Sequence, residues 1–475
     1  MYNIYQSLKN TATKFPEKVA MVDVKGIITY NELYVQAQRL KEELVGLGVC
    51  KGTGVGLLTN NNRNFLIGLY ASAGAGALVM PIFHQQQPSE ITTAVKEAQL
   101  HLVLGDFVSH MSLFGTPSEF NSNSEFNYIW TDRSKDEMIA SFVENPAFMR
   151  FTSGTTGRAK GVVLSHESVL ERIETANDSL KIEQNDVILW VFPMAYHFVV
   201  SLVLYVHYGV TVVVNNDFLA ESIIKSIEKY NVTLFYCSPM HIKLLAAYQE
   251  GGPLKTLKTV ISTTTGVSAD ACRSFKERYN IAVHQAFGII EVGLPIINKG
   301  GADAHPDAVG NVIDGYEAII INHEGEPVGV NEVGLLGLKG PGMFDAYLSP
   351  PRLRNDILQD GWFMTGDLAV MDKEGLITIK GRKKDVIIVH GNKVFPNEVE
   401  EVLGQIESIT KSKVYGKSHP LLGEVVVADV IIKAQLTAVD IQRFCRQKLS
   451  AYKVPQFINF VDSIEMTASG KIKRV

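Results

Sequence analysis

Cysteine is scarce in this 475-residue chain, and the four that occur are widely separated: Cys50, Cys237, Cys272 and Cys445. No two of them form a CxxC pair, and no histidine stands at the spacing of a zinc finger. The pattern therefore excludes a disulfide scaffold and a structural zinc site. Reduced thiols in a cytoplasmic setting are expected.

An excess of positive charge is also missing. Lysine and arginine together number 45 against 50 aspartate and glutamate residues, which gives a formal net charge of −5. Proteins that bind a nucleic-acid backbone need a basic surface to replace its counterions. No nucleic-acid partner is expected.

Long apolar runs are nearly absent. The exception is Phe65–Phe83, with 19 residues and no charge, which just reaches the length of a membrane span. Its glycine and alanine content and the break at Pro81 favour a buried helix that leads into a buried strand. The first twenty residues contain no apolar run of signal-peptide length, so neither export nor a membrane span is expected.

The composition, with 46% hydrophobic and 20% charged residues, is typical of a globular protein. The length of 475 residues suggests about three domain-sized units. Helical periods alternate with short apolar runs, which predicts α/β layers with largely parallel sheets. These runs are Val55–Thr59, Val187–Phe192, Val210–Asn215, Leu234–Cys237 and Val260–Ser262.

The texture of the sequence changes twice near the C-terminal end. Short glycine-broken strands indicate a β-rich subdomain at about 309–380, and the charged cluster that begins at Gly381 marks a boundary. Beyond it, Asn397–Glu407, Glu424–Lys433 and Ala438–Leu449 read as helix, strand and helix. We therefore predict a large domain over residues 1–381 and a small α+β domain over residues 382–475.

The strongest local motif is the segment Phe151–Gly161, FTSGTTGRAKG. Three glycines and four hydroxyl side chains supply N–H and O–H donors, and Lys160 adds a compact cation, a set that suits phosphate. The spacing differs from the Walker A loop GxxxxGK[ST]. A solvated Ser/Gly turn is the alternative reading of this segment on its own.

Four later segments follow in a fixed order: AFGIIE at 286–291, TGDLA at 365–369, GRKKDVIIVHGNKVFPNEVEEVL at 381–403 and TASGKIKR at 467–474. Together with the first loop, they make the chain resemble the adenylate-forming superfamily of acyl-CoA synthetases, peptide-synthetase adenylation domains and luciferases. The resemblance implies two α/β lobes plus a β-rich lobe, followed by a small mobile α+β C-terminal domain.

The resemblance also assigns the nucleotide-binding residues. The phosphate loop would hold the β- and γ-phosphates of ATP through Thr152, Ser153, Gly154, Thr155, Thr156, Gly157 and Lys160. Phe287, where the family usually has Tyr, would pack on the adenine, and Glu291 would bind Mg²⁺. Asp367 would accept hydrogen bonds from the ribose hydroxyls, and Arg382 would reach the ribose or a phosphate.

The remaining roles concern the acid and the thiol. Lys471 would bridge the substrate carboxylate and the α-phosphate, and His197, in FPMAYHF, would lie beside that carboxylate. The rest of the acid pocket would involve Thr263, Thr264 and Gly288. Lys384 would be the hinge of the small domain, and Gly391 would lie in the loop that admits the thiol.

Two departures from the family pattern stand out. Ile290 replaces the Thr or Ser that usually precedes the magnesium carboxylate, so one phosphate contact is missing. Thr263 and Thr264 replace two glycines of the usual Gly-Gly-Ala-Pro turn, which would shorten the pocket or add hydroxyl donors to it.

The expected function is ATP-dependent activation of a carboxylate, with transfer of the acyl group to CoA or to the phosphopantetheine of a carrier protein. The segment around His197 lacks the Asp that would pair with an α-ammonium group, so a small or medium acyl or aryl acid is expected rather than a free amino acid. The alternative is a catalytically reduced binding or regulatory protein on the same scaffold, suggested by Ile290.

Overall fold

The computed structural model describes residues 2–133, 137–152, 160–299, 304–389, 392–419, 423–466 and 472–473. In these residues the α-helices are α1 Tyr5–Lys14, α2 Tyr30–Gly46, α3 Arg63–Gly74, α4 Pro88–Glu97, α5 Val108–Met111, α6 His166–Leu180, α7 Leu204–His207, α8 Ala220–Tyr230, α9 Pro239–Ala247, α10 Ala269–Tyr279, α11 Pro396–Leu403 and α12 Ala438–Lys448.

Sheet I has nine strands. In spatial order they are β16 Asn311–Val312, β15 Gly293–Ile297, β14 Val283–Ile289, β13 Thr259–Ser262, β12 Leu234–Cys237, β10 Val187–Trp190, β11 Thr211–Val214, β1 Val19–Asp23 and β2 Gly26–Thr29. The six strands from β14 to β1 are parallel, and the outer ones are antiparallel. From β10 the chain passes first to β11 on one side and then to β12 on the other.

Sheet II also has nine strands and a similar parallel centre. Its order is β20 Arg352–Leu353, β19 Ala346–Tyr347, β9 Lys160–Ser165, β8 Pro146–Thr152, β4 Leu78–Phe83, β3 Gly54–Thr59, β5 Leu102–Gly105, β7 Asn127–Trp130 and β6 Ser118–Glu119. Strands β8, β4, β3 and β5 are parallel. The reversal of strand order seen in sheet I occurs here too: the chain passes from β3 to β4 on one side of β3 and then to β5 on the other side.

Two smaller sheets follow. Sheet III is antiparallel, in the order β17 Glu317–Ile321, β18 Gly334–Lys339, β21 Phe363–Met371 and β22 Ile377–Arg382. Sheet IV has the order β24 Asn392–Val394, β23 Ile387–Val389, β26 Gly423–Ile432 and β25 Ile409–His419, with β27 Phe457–Phe460 also paired to β26.

The helices cover the parallel sheets because apolar side chains recur on their inner faces. Helix α2 begins with a capping box, in which Thr29 and Glu32 satisfy each other's backbone N–H groups. One large core joins sheets I and II through α1, α2, α3 and α6, and a second lies between sheet I and helices α8 to α10. The residues of sheet IV, α11 and α12 form a core of their own.

The predicted α/β class is confirmed by these sheets. The run at 65–83 is a helix followed by a strand, α3 and β4, and both are buried as predicted. Each of the five predicted apolar strands is present, with ends that differ from the predicted ones by no more than two residues. Within the part of the chain that the structure covers, no helix has the length and apolar character of a bilayer-spanning segment. The domain limits at 381 and 382 and the hinge at Lys384 stay predictions.

Candidate active site

The carboxyl ends of the parallel strands of sheets I and II meet through the loop that follows β10. Asn61, just after β3, donates its Nδ2 to the carbonyl of Phe192 at 3.1 Å and accepts the N–H of Met194 at 3.0 Å. Arg150, on β8, donates Nη1 to the carbonyl of Tyr196 at 2.5 Å. This loop is therefore fixed to both sheets. Ligands of open α/β sheets bind at such carboxyl ends, where the strand order reverses.

Glu291 lies in the turn between β14 and β15. The hydroxyl of Tyr347 donates to its Oε1 at 3.3 Å, and the ammonium of Lys160 lies 4.8 Å from the centre of the Tyr347 ring. Burial raises the pKa of Glu291 above its usual range, against the lowering effect of Arg382 and Arg150. A partly buried carboxylate among cations is well suited to receive a further cation or a polar ligand.

Buried hydrogen bonds hold this turn in place. Arg172 on α6 is 1% exposed and donates Nη1 to the carbonyl of Ile290 at 3.0 Å and Nε to that of Gly342 at 2.8 Å. The N–H of Phe344 donates to the carbonyl of Glu291 at 2.7 Å. The Ile290 side chain packs against the main core. The position of the Glu291 carboxylate is thus set by α6 and by the segment before β19.

Arg150 brings a half-buried side chain with a positive charge to the same region. Its guanidinium lies 5.0 Å from the centre of the Tyr196 ring, and burial lowers its pKa, while the charge of Glu291 acts in the opposite direction. Its Nε atom is buried and has no acceptor among the residues described. A guanidinium with an unused donor suits a planar anion such as a carboxylate or a phosphate.

Asp367 and Arg382 lie opposite each other on β21 and β22 and form an ion pair, with 2.9 Å between Arg382 Nε and Asp367 Oδ1. Arg382 also donates Nη1 to the carbonyl of Thr365 at 2.8 Å, and the Asp367 N–H donates to the Thr365 hydroxyl at 3.0 Å. The aspartate is 5% exposed. The two residues assigned to ribose recognition are therefore adjacent and oriented by Thr365.

The predicted acid pocket lies at the ends of β10, β13 and β14. His197 stacks on Phe192, with ring centres 4.4 Å apart. The Thr263 hydroxyl donates to the carbonyl of Ala286 at 3.1 Å, so this donor is satisfied within the protein. Gly288 is exposed, and a Cβ there would lie 2.7 Å from the carbonyl oxygen of Gly293. Thr264 has φ +80°, a conformation natural to the glycine that the family usually has there.

Several assigned residues cannot be placed. The residues outside the described part of the chain are Ser153, Gly154, Thr155, Thr156, Gly157, Gly391 and Lys471. The structure covers the strands on either side of the predicted phosphate loop: β8 ends at Thr152 and its antiparallel partner β9 begins at Lys160. Phe287 lies on β14, partly buried against the main core, and Lys384 lies in the short 3₁₀ segment Lys383–Asp385.

Two family profiles match this chain. The profile described as AMP-binding enzyme matches residues 8–348, and the AMP-binding enzyme C-terminal domain matches residues 398–471. The first match covers well over half of the chain. The chain belongs to the AMP-binding enzyme family. The predicted membership of the adenylate-forming superfamily is thereby confirmed.

Relatives of this AMP-binding enzyme share about a quarter of its residues. The 2-succinylbenzoate–CoA ligase of Listeria monocytogenes is 26% identical, over 97% of this chain and 96% of the relative. The long-chain-fatty-acid–CoA ligase of Salmonella typhimurium is 25% identical, over 99% and 94%. The solved o-succinylbenzoate CoA synthetase of Bacillus subtilis has a TM-score of 0.85 at 22% identity, covers 99% and 97% of the two chains, and thus shows the same fold.

Sequence reasoning missed Arg150, Arg172 and Tyr347. Arg150 is the one charge in the apolar strand PAFMRFT, and Arg172 lies on the buried face of α6 with Val169 and Ile173. A charge in a buried apolar pattern was a signal that could have identified both. Tyr347 gave no such signal, because its role depends on the pairing of β19 with β9.

Proposed function

We propose that this AMP-binding enzyme activates a carboxylic acid with ATP, releases pyrophosphate through an acyl-adenylate, and transfers the acyl group to the thiol of CoA. The relatives that are named CoA ligases support CoA as the acceptor. The phosphopantetheine of a carrier protein remains the alternative acceptor and an alternative partner. The protein is, in this proposal, an AMP-forming acid–thiol ligase.

The observation that carries the proposal is the arrangement around Tyr347. Its hydroxyl donates a hydrogen bond to Glu291, its ring lies under the ammonium of Lys160, and the guanidinium of Arg150 is close enough to affect the Glu291 carboxylate electrostatically. Lys160 begins the strand that follows the phosphate loop. Cations and one carboxylate are thus combined at the edge where the loops of both sheets meet, as activation of one anion by another requires.

Each described residue then has a defined task. Lys160 neutralises the charge of the departing pyrophosphate, and Arg150 directs its unused Nε–H toward an anionic oxygen of the substrates. Asp367, held by Arg382, accepts the ribose hydroxyls, and Arg382 can turn its remaining donors toward the ribose or α-phosphate. Glu291 would supply a carboxylate oxygen to Mg²⁺, whose other ligands are typically phosphate oxygens and water, and the ion would offset phosphate charge.

The small domain completes the two half-reactions. Lys471 neutralises the carboxylate and α-phosphate during adenylation, and the loop of Gly391 admits the pantetheine arm during thioester formation. Lys384 is the hinge between the two orientations. Its place in a short 3₁₀ segment between sheets III and IV is consistent with a hinge, because few residues there need to change φ and ψ.

The substrate is a small or medium acyl or aryl acid without a free α-ammonium group. The aromatic wall of Phe192 and His197 favours an uncharged acyl part, and the segment FPMAYHF offers no carboxylate to pair with an ammonium. Thr263 and Thr264 occupy space that the family usually leaves to glycine. Long fatty acids are therefore poor substrates in this proposal.

A second candidate function is a catalytically reduced protein that binds an acyl-adenylate. It is favoured by Ile290, which packs on the core where a phosphate-binding hydroxyl usually stands. The Ile290 side chain therefore contributes to the packing of the core and offers no hydroxyl to a phosphate. The carbonyl of the same residue still orients the Glu291 turn through Arg172.

One screen tests both candidates. Pyrophosphate release is measured with a panel of acids, including benzoate, hexanoate, palmitate and common amino acids, each with ATP and Mg²⁺, in the presence and absence of CoA. We expect turnover of benzoate- or hexanoate-sized acids and thioester only with CoA. The variant Glu291→Gln should lose about 10²-fold or more in rate. Palmitate or an amino acid as the best substrate would refute the substrate assignment, and binding without turnover of any acid would favour the reduced protein.

A further inference from the structure

His241 lies beside the point where the strand order of sheet I reverses. It is in the first turn of α9, directly after β12, and β12 is the neighbour of β10 across that point. Open α/β sheets place their ligands at the carboxyl ends of these two strands. The loop of His197 follows β10, so the two histidines follow the two neighbouring strands between which the strand order reverses.

The protonation of His241 follows from its contacts. The backbone N–H of Ser238 donates to its Nδ1 at 3.3 Å, and the Ser238 hydroxyl lies 2.7 Å from the same atom. Since a backbone N–H can only donate, Nδ1 is the acceptor and the proton of the neutral ring is on Nε2. Burial lowers the pKa of His241 to about 4, so the ring is neutral at neutral pH.

This Nε2–H has no acceptor among the described residues, although His241 is 2% exposed. The ring is instead surrounded by aromatic rings, with centres 6.3 Å away for Phe192, 6.0 Å for Phe218 and 6.0 Å for Phe235. By contrast, both nitrogens of the buried His101 have polar partners. Buried donors are nearly always satisfied, so an unused one at the carboxyl ends of these strands, where open α/β sheets bind ligands, suits an acceptor that a ligand supplies.

Phe192 connects this donor to the carboxylate end of the pocket. The same ring stacks on His197 at 4.4 Å and meets His241 in a T-shaped contact. An acid whose carboxylate lies beside His197 would extend along Phe192 toward His241. Because the rings around Nε2 are apolar and the imidazole is neutral, a second charge there would be poorly solvated, whereas an uncharged oxygen would fit.

We propose that His241 is a specificity-determining residue whose Nε2–H donates a hydrogen bond to an uncharged oxygen, a ketone or ether, in the acyl part of the substrate. The inference rests on the proposed function and narrows its substrate class. A hydrocarbon acid of the same size leaves the His241 donor unpaired and binds less well. A pocket discriminates more strongly against a ligand that leaves a buried donor unpaired than against one that differs only by a methylene group.

The test measures binding, so it does not depend on turnover. Non-hydrolysable acyl-sulfamoyl adenosines are prepared with a heptanoyl chain and with a ketone at carbon 3, 4, 5 or 6 of that chain, and titrated calorimetrically. In the wild-type protein one ketone should bind about tenfold more tightly than plain heptanoyl, as one hydrogen bond to a neutral acceptor allows. His241→Leu should reduce the ratio to about one, and so should His241→Phe, which keeps a ring without the donor.

Ser238→Ala is the matched control in the same turn. It removes the hydroxyl but leaves the backbone N–H on Nδ1, so Nε2 stays the donor and the ketone preference should persist. Thermal unfolding of each variant shows that the folded protein is being titrated. The inference is overturned if no ketone is preferred by the wild type, or if both His241 variants keep the preference. If the wild type binds none of the analogues, the proposed function fails and this inference fails with it.

Discussion

Replacement of Arg172 by methionine tests whether the Glu291 turn is held by a buried cation. The guanidinium donates to the carbonyls of Gly342 and Ile290, and it joins α6 to both segments that carry the site. Gly342 has φ +63°, and a Cβ there would lie 2.6 Å from the backbone N of Arg172. Methionine fills the aliphatic part of the Arg172 site and has no donor, so Arg172→Met keeps the packing of that part and removes the hydrogen bonds.

The magnitude follows from those bonds. A hydrogen bond to a charged group contributes about 1.5–3 kcal/mol, and two carbonyls lose their Arg172 donors. Part of this loss is offset, because a fully buried guanidinium carries its own desolvation cost. The nearby carboxylates Glu171, Glu291 and Asp345 also lose a compensating charge. We expect a net destabilisation of about 3 kcal/mol.

Urea unfolding followed by tryptophan fluorescence is the suitable assay. The three tryptophans, Trp130, Trp190 and Trp362, all lie before residue 381, so the signal reports only on the large N-terminal part. Arg39→Met, on the exposed face of α2, is the control and should change stability by less than about 0.5 kcal/mol. Pyrophosphate exchange should fall for Arg172→Met alone. The reasoning is refuted if the two variants match in both measurements.

Three further predictions concern other parts of the site. Burial raises the pKa of Glu291, so the wild type should lose stability as the pH rises from about 4.5 through that raised pKa, whereas Glu291→Gln should not. Melting temperatures measured from pH 4.5 to 8 should therefore diverge in favour of the variant. Parallel curves for the two proteins would contradict this prediction. Thr264→Gly should raise the unfolding free energy by about 1 kcal/mol in urea, since φ +80° strains a β-branched residue, and a loss would show that its side chain contributes more than the strain costs. Three variants should separate the two half-reactions: Lys471→Ala should impair only pyrophosphate exchange, by about 10²–10³-fold, and Gly391→Leu should block only thioester formation from synthetic acyl-adenylate. Lys384→Pro should trap the adenylating orientation. Equal losses in both assays would argue against two orientations.

The apolar pattern was sufficient to predict much of the secondary structure. The run Leu234–Cys237 and the helix that begins at Ala438 have the predicted starts. A strand covered on both faces leaves a continuous apolar run, and a helix covered on one face leaves a helical period of apolar residues. Strand ends were less accurate: the run predicted to end at Phe192 leaves the sheet after Trp190. The chain turns there to reach sheet II through Asn61, and local pattern carries no information about that contact.

The ordered motifs likewise identified the family and nominated Glu291, Asp367, Arg382 and Lys160. Such motifs are local in sequence, since a phosphate loop or a turn needs particular residue types at adjacent positions. The role of Thr263 was less evident, because its hydroxyl could have faced the pocket. The structure shows that it donates to Ala286, a residue on a neighbouring strand.

The amino-acid sequence by itself therefore determined the fold class, the family and the residues of the contiguous motifs, because each of these depends on short-range periodicity and spacing. Only the tertiary structure decided how Arg150, Arg172 and Tyr347 surround Glu291, and that the buried Nε2 of His241 lacks an acceptor among the described residues. One of these contacts, between Arg172 and Ile290, joins residues 118 positions apart in the sequence. Burial and hydrogen-bond satisfaction are properties of the packed chain, so no local pattern of residue types encodes them.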